Sequence, residues 1–198
     1  MDKIELYREE DMRNSVNYIW IILSAFVPFV LYYVMYKISK SVDDHVKHKT
    51  ELYKDRNIPP DLLKEMEDFP VNTVTYYWLF LMSGIFEFLM GFIFPVYLQP
   101  IYIPMPVIIA LLINFFFLVV LVDAISKRLY VHQLIEEDIN KSMNIQSNLS
   151  TFKKRNGLLF MFLSIVTFTI YVYIYLALVT KEYLAHIQMD YRVLEEMK

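Results

Sequence analysis

The sequence contains no cysteine, only three glycines and few charged residues. Without cysteine there can be no disulfide framework, no thiol nucleophile and no cysteine-ligated metal site. None of the three glycines belongs to a phosphate-binding loop. Charged residues make up 21% of the chain and the net charge is −3, with no cluster of Lys and Arg dense enough to indicate nucleic-acid binding. These absences exclude several common kinds of site.

Hydrophobic residues are present in excess, at 57% of 198 residues, whereas soluble domains usually contain about 45–50%. They are gathered into runs of about twenty residues, the length of a helix that crosses a ~30 Å hydrocarbon core. The N-terminal stretch MDKIELYREEDMRN is acidic and mixed, and the apolar run after it is too long for a secretory signal. We therefore expect a membrane protein that retains its first span.

Four apolar runs predict four transmembrane helices, because lipid cannot hydrogen-bond to open backbone groups. The predicted spans are residues 18–36, 76–98, 107–124 and 158–180, within one membrane domain over residues 1–198. Tyr and Trp crowd the ends of these runs, as in the interfacial aromatic belt of membrane helices. The predicted fold class is therefore all-α, a polytopic bundle of four transmembrane helices.

Two charged segments with helical patterns, residues 37–75 and 125–157, connect the spans, and we call them the arms. They carry seven and six Lys and Arg, whereas the two tails carry three each and the turn QPIYIPMP carries none. Positive residues favour the cytoplasmic side of a membrane. The sequence therefore predicts a multi-pass protein of the cell membrane with both arms in the cytoplasm and both termini outside.

The junction between span and arm is repeated. ISKSVDDH at Ile38–His45 and ISKRLYVH at Ile125–His132 begin stripes that follow one helix face. The stripes are Ile38, Val42, His45, Lys49 and Leu52, and Ile125, Leu129, His132, Glu136 and Ile139. The repeat predicts a tandem 2+2 arrangement, in which the arms pair with Lys49 opposite Glu136 and His45 beside His132. The alternative is a chance match between two ordinary helix exits.

A fainter third copy of the stripe follows the fourth span. It consists of Val179, Tyr183, His186, Asp190 and Val193. In the predicted topology this copy would lie across the membrane from the arms. It is therefore either a coincidence or evidence against that topology.

Two polar residues, Glu87 and Asn114, are predicted near the midpoints of the second and third spans, and the hairpin between these spans lets them meet. A charged carboxylate at that depth is costly and often functional, here for handling protons or cations. The alternative, which we favour, is a protonated Glu87 hydrogen-bonded to Asn114 as a polar clasp between helices. No further acid or histidine at mid-depth indicates a proton path.

A metal site is a second candidate. His45 and His48 are three residues apart, and His132 and Glu136 are four apart, so each pair shares a helix face. Imidazole and carboxylate groups from two paired helices can bind Zn or Fe. The set matches neither an HExxH motif nor a paired Glu-x-x-His motif, and His and Asp are ordinary at a solvated interface. The sequence therefore identifies no cofactor and leaves metal binding as an open alternative.

Two stretches, YYWLFLMSGIFEF at 76–88 and LSIVTFTIYVYIYLALVTKEYLAH at 163–186, resemble an uncharacterised family of small prokaryotic multi-pass membrane proteins. In that family, a span with a core rich in Gly, Tyr and Trp leads into a charged helix. The fourth span here lacks the late Trp of the pattern. The resemblance covers the spans only and implies a membrane fold without an activity, because the function of the family is unknown.

The leading functional interpretation is a non-catalytic accessory or scaffold subunit of a larger membrane complex. The spans carry few polar residues, and the arms offer amphipathic faces to helix partners. The expected partners are the lipid bilayer and other membrane subunits or further copies of the chain. The alternative is a small ion- or proton-coupled carrier or channel using Glu87. A third interpretation, a metal-dependent membrane enzyme, would use His45, His48, His132 and Glu136.

Overall fold

The computed structural model describes residues 2–56, 58–67, 72–94, 97–98, 101–145 and 151–196. These residues are almost entirely helical, so the predicted all-α class is confirmed. The helices are α1 Lys3–Asn14, α2 Tyr18–Ser24, α3 Pro28–Lys54, α4 Pro60–Glu67, α5 Thr73–Ile93, α6 Met105–Ser142, α7 Gly157–Val166 and α8 Ile170–Glu196. Two very short strands, β1 Tyr97–Leu98 and β2 Ile101–Tyr102, pair antiparallel at the turn between α5 and α6.

The first apolar run forms a hairpin of α2 and α3. α2 ends at Ser24 and α3 begins at Pro28, whose missing N–H and fixed φ suit the first turn of a helix. The hydroxyl of Ser41 on α3 donates a hydrogen bond to the backbone carbonyl of Asn14 at 2.6 Å. Since both ends of the segment meet, the chain goes out along α2 and returns along α3. The prediction of a single span over 18–36 is therefore wrong.

The fourth apolar run forms a second such hairpin, of α7 and α8. The connection holds Phe168 and Thr169 at φ of 49° and 69°, a backbone region that such residues rarely adopt. At the base of the hairpin, the guanidinium of Arg155 makes two hydrogen bonds to the carboxylate of Glu182, at 2.7 and 2.6 Å. The predicted single span over 158–180 is therefore also wrong, because α8 returns to the side on which α7 began.

α5 and α6 form the middle hairpin, and among the described residues these two helices are long and apolar enough to cross a membrane. The carboxylate of Asp43 on α3 accepts hydrogen bonds from the backbone N–H groups of Thr73 and Val74 at 3.0 Å. It also lies 3.9 Å from Nε of Arg128 on α6, so one residue holds both ends of the hairpin. α6 continues without a break from the predicted span into the second arm.

The three returning helices, α3, α6 and α8, pack together after they leave their hairpins, and each carries one copy of the stripe. The residue three positions before each stripe histidine is buried in a shared apolar core, with Val42 1%, Leu129 2% and Tyr183 4% exposed. The described residues therefore form three hairpin units, where the sequence predicted a 2+2 repeat. The apolar stripes of the arms face each other inside the protein.

The N-terminal helix α1 and the C-terminal part of α8 pack against the first arm and against each other. Arg8 of α1 forms an ion pair with Glu195 of α8 at 2.7 Å, and Asp11 of α1 lies 2.6 Å from His45 of α3. The prediction that both termini lie across the membrane from the arms is therefore wrong. The counts of Lys and Arg could not reveal this, because two apolar runs return to the side on which they started.

Candidate functional site

A buried polar cluster lies where α3, α6 and α8 meet. Each helix contributes the histidine of its stripe, and His45, His132 and His186 are each 2% exposed or less. The ring centroids are 5.1 Å apart for His45 and His132, 5.5 Å for His45 and His186, and 5.7 Å for His132 and His186. The three imidazoles therefore form a compact triangle with one ring from each hairpin unit.

One helical turn beyond each histidine lies a charged residue, and these three residues also meet. Nζ of Lys49 lies 3.1 Å from Oε1 of Glu136 and donates a short hydrogen bond to Oδ1 of Asp190. All three side chains are 1% exposed or less. The ammonium also lies 4.6 Å from the ring of Tyr53, in a cation–π arrangement. The structure thus brings Lys49 and Glu136 together, as in-register arms require, and adds Asp190 from the third unit.

Asp11 of α1 closes the cluster and is itself 1% exposed. Its Oδ2 lies 2.6 Å from Nδ1 of His45 and accepts a hydrogen bond from the hydroxyl of Tyr191 at 2.7 Å. Its Oδ1 lies 2.7 Å from Nδ1 of His48. The ring of His48 stacks on Tyr7 with a centroid distance of 4.2 Å. His48 therefore lies beside the triangle of imidazoles and is not part of it.

Burial and charge separate the pKa values of the two central carboxyls. Burial by itself would raise the pKa of Glu136, but the adjacent ammonium of Lys49 and the contact with His186 hold it well below its usual range. Burial raises the pKa of Asp190, and the negative charge of Glu136 raises it further. Glu136 is therefore the ionised carboxylate of the pair, and Asp190 is the one that accepts a proton more readily.

Two of the histidines have pKa values shifted in opposite directions. Burial lowers the pKa of His132 well below its usual value. Burial also opposes a charge on His45, but the adjacent carboxylate of Asp11 raises its pKa above the usual value. The imidazole of His132 is therefore neutral and has a free lone pair at neutral pH, whereas Asp11 fixes the ring of His45.

Several atoms of the cluster are buried without a hydrogen-bond partner. They are Nε2 of His45, both ring nitrogens of His132, Nε2 of His186, Oε2 of Glu136 and Oδ2 of Asp190. Oε2 of Glu136 lies 3.0 Å from Nε2 of His186, but out of line for a hydrogen bond. Leaving a buried polar group unpaired costs about 1–3 kcal/mol. The unpaired atoms of this cluster are therefore unfavourable for the folded state unless a ligand pairs with them.

These unpaired atoms are of the kinds that bind transition metals, namely imidazole nitrogens and carboxylate oxygens. One ring nitrogen from each of His45, His132 and His186 lies within 4.8 Å of the other two. One ligand atom from each of Glu136, His186 and Asp190 likewise lies within 4.8 Å of the other two. Within the part of the chain that the structure describes, the residues able to hold a metal ion are therefore these five. Of the metal ligands predicted from the sequence, His48 lies outside the group.

The polar residues of the middle hairpin form a separate site between the first two hairpins. The amide of Asn114 donates to Oε2 of Glu87 at 2.5 Å and to the hydroxyl of Tyr32 at 3.0 Å. Its carbonyl accepts from Ser83 at 3.0 Å. Tyr32 reaches the site across Gly84, where a Cβ would lie 2.1 Å from the Tyr32 hydroxyl oxygen. The structure brings Glu87 and Asn114 together in the geometry of a polar clasp.

Sequence reasoning missed three members of the buried cluster, Asp11, His186 and Asp190. The third stripe contained the signal for His186 and Asp190, but the predicted topology placed that stripe across the membrane. Asp11 has no such signal, because it lies on α1 outside the repeat and reaches the cluster only through the fold.

No family model, curated protein or solved structure matches this chain. The resemblance to a family of small prokaryotic membrane proteins therefore stays a prediction. What the protein does has to be inferred from the geometry of its hairpins and of the buried cluster.

Proposed function

We propose that this chain is a non-catalytic integral membrane protein, seated in the bilayer by its three hairpins, that serves as an accessory or scaffold subunit of a membrane assembly. The observation that carries the membrane part is the exposure of large apolar side chains on the hairpins. Near the tips, Phe26 is 79%, Phe92 80% and Phe168 89% exposed. Soluble monomers rarely expose apolar patches beyond a few hundred Å².

The middle hairpin supports a pair of membrane-spanning helices. In the most apolar 18-residue windows of α5 and α6, 17% and 28% of the residues are buried. A core helix of a soluble protein would be mostly buried. α5 has 21 residues, so it is about 31 Å long at 1.5 Å per residue, close to the ~30 Å of the hydrocarbon core. We therefore propose that these two helices cross the bilayer.

The outgoing helices of the other two hairpins are too short to cross. α2 has 7 residues and α7 has 10, which correspond to about 10 and 15 Å. Backbone at membrane depth must be hydrogen-bonded, and both tips meet this need. Val27 N donates to the carbonyl of Leu23 at 2.9 Å, and Thr169 N donates to that of Ser164 at 2.7 Å. The proposed arrangement is two spans and two half-depth hairpins instead of four spans.

The distribution of positive charge gives the orientation. No Lys or Arg occurs in residues 14–36, 65–126 or 156–180, which contain all three hairpins. All 19 positive residues of the sequence lie in the arms and tails, and positive residues favour the cytoplasm. We therefore place both arms and both termini in the cytoplasm. In this arrangement only the turn between α5 and α6 reaches the other side.

The burial of the polar cluster supports a non-catalytic role, because a substrate would need a path to the reactive groups. A cavity of about 430 Å³ lies beside α3 and α4 and is lined by Asp43, Lys47, Glu51 and Met66, among others. A second, of about 150 Å³, lies at the base of the third hairpin near Asp123. Neither cavity is lined by the three histidines of the cluster.

Single-cysteine labelling tests the arrangement, since the chain has no native cysteine. Met12, Phe94 and Met189 are 37%, 39% and 47% exposed, so each accepts a cysteine. In intact cells, a membrane-impermeant maleimide should label Phe94→Cys, and it should label Met12→Cys and Met189→Cys only after the membrane is opened. Phe168→Cys should resist the reagent from both sides. Labelling of all three exposed positions from outside would restore the four-span topology and refute ours.

The native mass of the protein after gentle extraction tests the subunit role. A mass well above that of a small homo-oligomer, with unrelated chains present, is the expected result. A monomer or small homo-oligomer without other chains would refute the accessory-subunit proposal and leave the membrane arrangement intact.

A further inference from the structure

We propose that the buried cluster is a structural metal centre that binds one divalent transition-metal ion of the Zn²⁺ type through His45, His132 and His186, with Oε2 of Glu136 as the fourth ligand. This site goes beyond the membrane role proposed above and does not depend on it. Each of the three hairpin units supplies one histidine, so the ion would link all three.

The geometry of the unpaired atoms favours this ligand set. Bonds of about 2.0–2.1 Å to Zn²⁺ in a tetrahedron place neighbouring ligand atoms about 3.3 Å apart. Glu136 Oε2 is 3.0 Å from His186 Nε2, and the three histidine ligand atoms lie within 4.8 Å of one another. Small side-chain adjustments therefore suffice to surround an ion. Binding would give a partner to atoms of all four residues that otherwise have none.

A divalent cation would also balance the charge of the cluster when its imidazoles are neutral, as metal ligation requires. Three buried carboxylates, those of Asp11, Glu136 and Asp190, face the single ammonium of Lys49 when the imidazoles are neutral. Two negative charges then remain uncompensated in an environment where unpaired charge is costly. One divalent cation compensates both. The competing arrangement places one proton on His45, beside Asp11, and one on Asp190, and the experiment below distinguishes protons from a metal ion.

The groups around the ligands hold them in the orientation that a metal ion needs. Ligating histidines usually pair their second ring nitrogen with a carboxylate, a backbone carbonyl or water, and Nδ1 of His45 lies 2.6 Å from Asp11. Lys49 engages Oε1 of Glu136 and leaves Oε2 free to face His186. Lys49 therefore serves as an orienting partner of the metal ligand and does not compete with the ion for the same oxygen.

Four protein ligands without an open position are typical of structural rather than catalytic zinc sites. His45, His132, His186 and Glu136 are each 2% exposed or less. An ion in this position would stabilise the folded state, because its binding free energy is gained only when the three units are packed together.

Metal analysis of the purified full-length chain, isolated with a tag that contains no histidine, tests the proposal. We expect about one Zn²⁺ or similar ion per chain, and a loss of at least about tenfold in bound metal in His186→Gln. His48→Gln is the matched control, because His48 also contacts Asp11 but lies outside the triangle; it should keep its metal. Undiminished metal in His186→Gln would overturn the proposal.

A second measurement uses the unaltered chain and so does not depend on the folding of a variant. The wild-type protein in detergent is treated with a chelator, and its melting temperature is followed as Zn²⁺ alone is added back. The expected result is a rise in melting temperature that saturates at about one ion per chain. Absence of bound metal together with an unchanged melting temperature would overturn the proposal and favour compensation by protons. Neither outcome affects the cysteine-labelling test of the membrane arrangement, so the metal site and the membrane role can fail separately.

Discussion

Replacement of Lys49 by methionine should strongly destabilise the metal-free protein, since the change keeps most of the apolar volume and removes the buried charge. The ammonium lies 3.1 Å from Glu136 and also contacts Asp190. At this distance the Coulomb attraction is about 5 kcal/mol for an effective dielectric constant of about 20. In the intact ion pair, the free-energy cost of removing both charges from water offsets much of this Coulomb attraction. Once one partner is removed, the remaining unpaired charge costs about 3–5 kcal/mol.

Thermal unfolding in detergent with a chelator present measures this loss. In a chain of this size 1 kcal/mol corresponds to a shift of about 2–4 °C, so the melting temperature should fall by about 6–20 °C. The triple variant Lys49→Met, Glu136→Gln, Asp190→Asn should recover most of the loss, because it removes the carboxylates that the single change leaves unpaired. A shift below about 2 °C in the single variant would refute the buried ion-pair interpretation.

The remaining predictions concern the contact between the first two hairpins. Gly84→Ala should cost about 1–3 kcal/mol, because the new Cβ would lie 2.1 Å from the Tyr32 hydroxyl. Gly91→Ala, with no atom within 4 Å, should be neutral or stabilising; similar melting temperatures for both variants would contradict the close packing. Glu87→Gln should keep its hydrogen bond with Asn114 and retain stability, whereas Asn114→Ala should lose about 1–2 kcal/mol. Loss of an ion flux in a folded Glu87→Gln protein would instead support the carrier interpretation.

The helices of this protein could be predicted from its apolar runs, but the return turns within two of the runs could not. Residues 18–36 carry no charge and are apolar apart from Ser24 and the tyrosine hydroxyls, and Pro28 is equally compatible with a kink and with the start of a returning helix. In the third hairpin, the turn residues Phe168 and Thr169 adopt positive φ although neither is a glycine or asparagine, the residues by which such turns are usually recognised. Hydropathy alone therefore overestimates the number of crossings.

The composition of the buried cluster was predictable only as far as the periodic stripes extend. The first two stripes placed His45, His132, Lys49 and Glu136 on facing helices. The third stripe has the same spacing, but an orientation derived from charge counts places it across the membrane from the other two. Asp11 lies on α1, outside the repeated stripes, so only the tertiary structure can place it.

The three hairpin units put chemically different residues at equivalent positions, since Lys49, Glu136 and Asp190 each follow their histidine by four residues. Three identical chains assembled in the same way would present three like charges to one another at a distance of a few ångströms, and would repel. Joining the units in one polypeptide allows each copy to carry its own residue there. A single polypeptide thus permits a centre of mixed charge that a homotrimer of one such unit could not form.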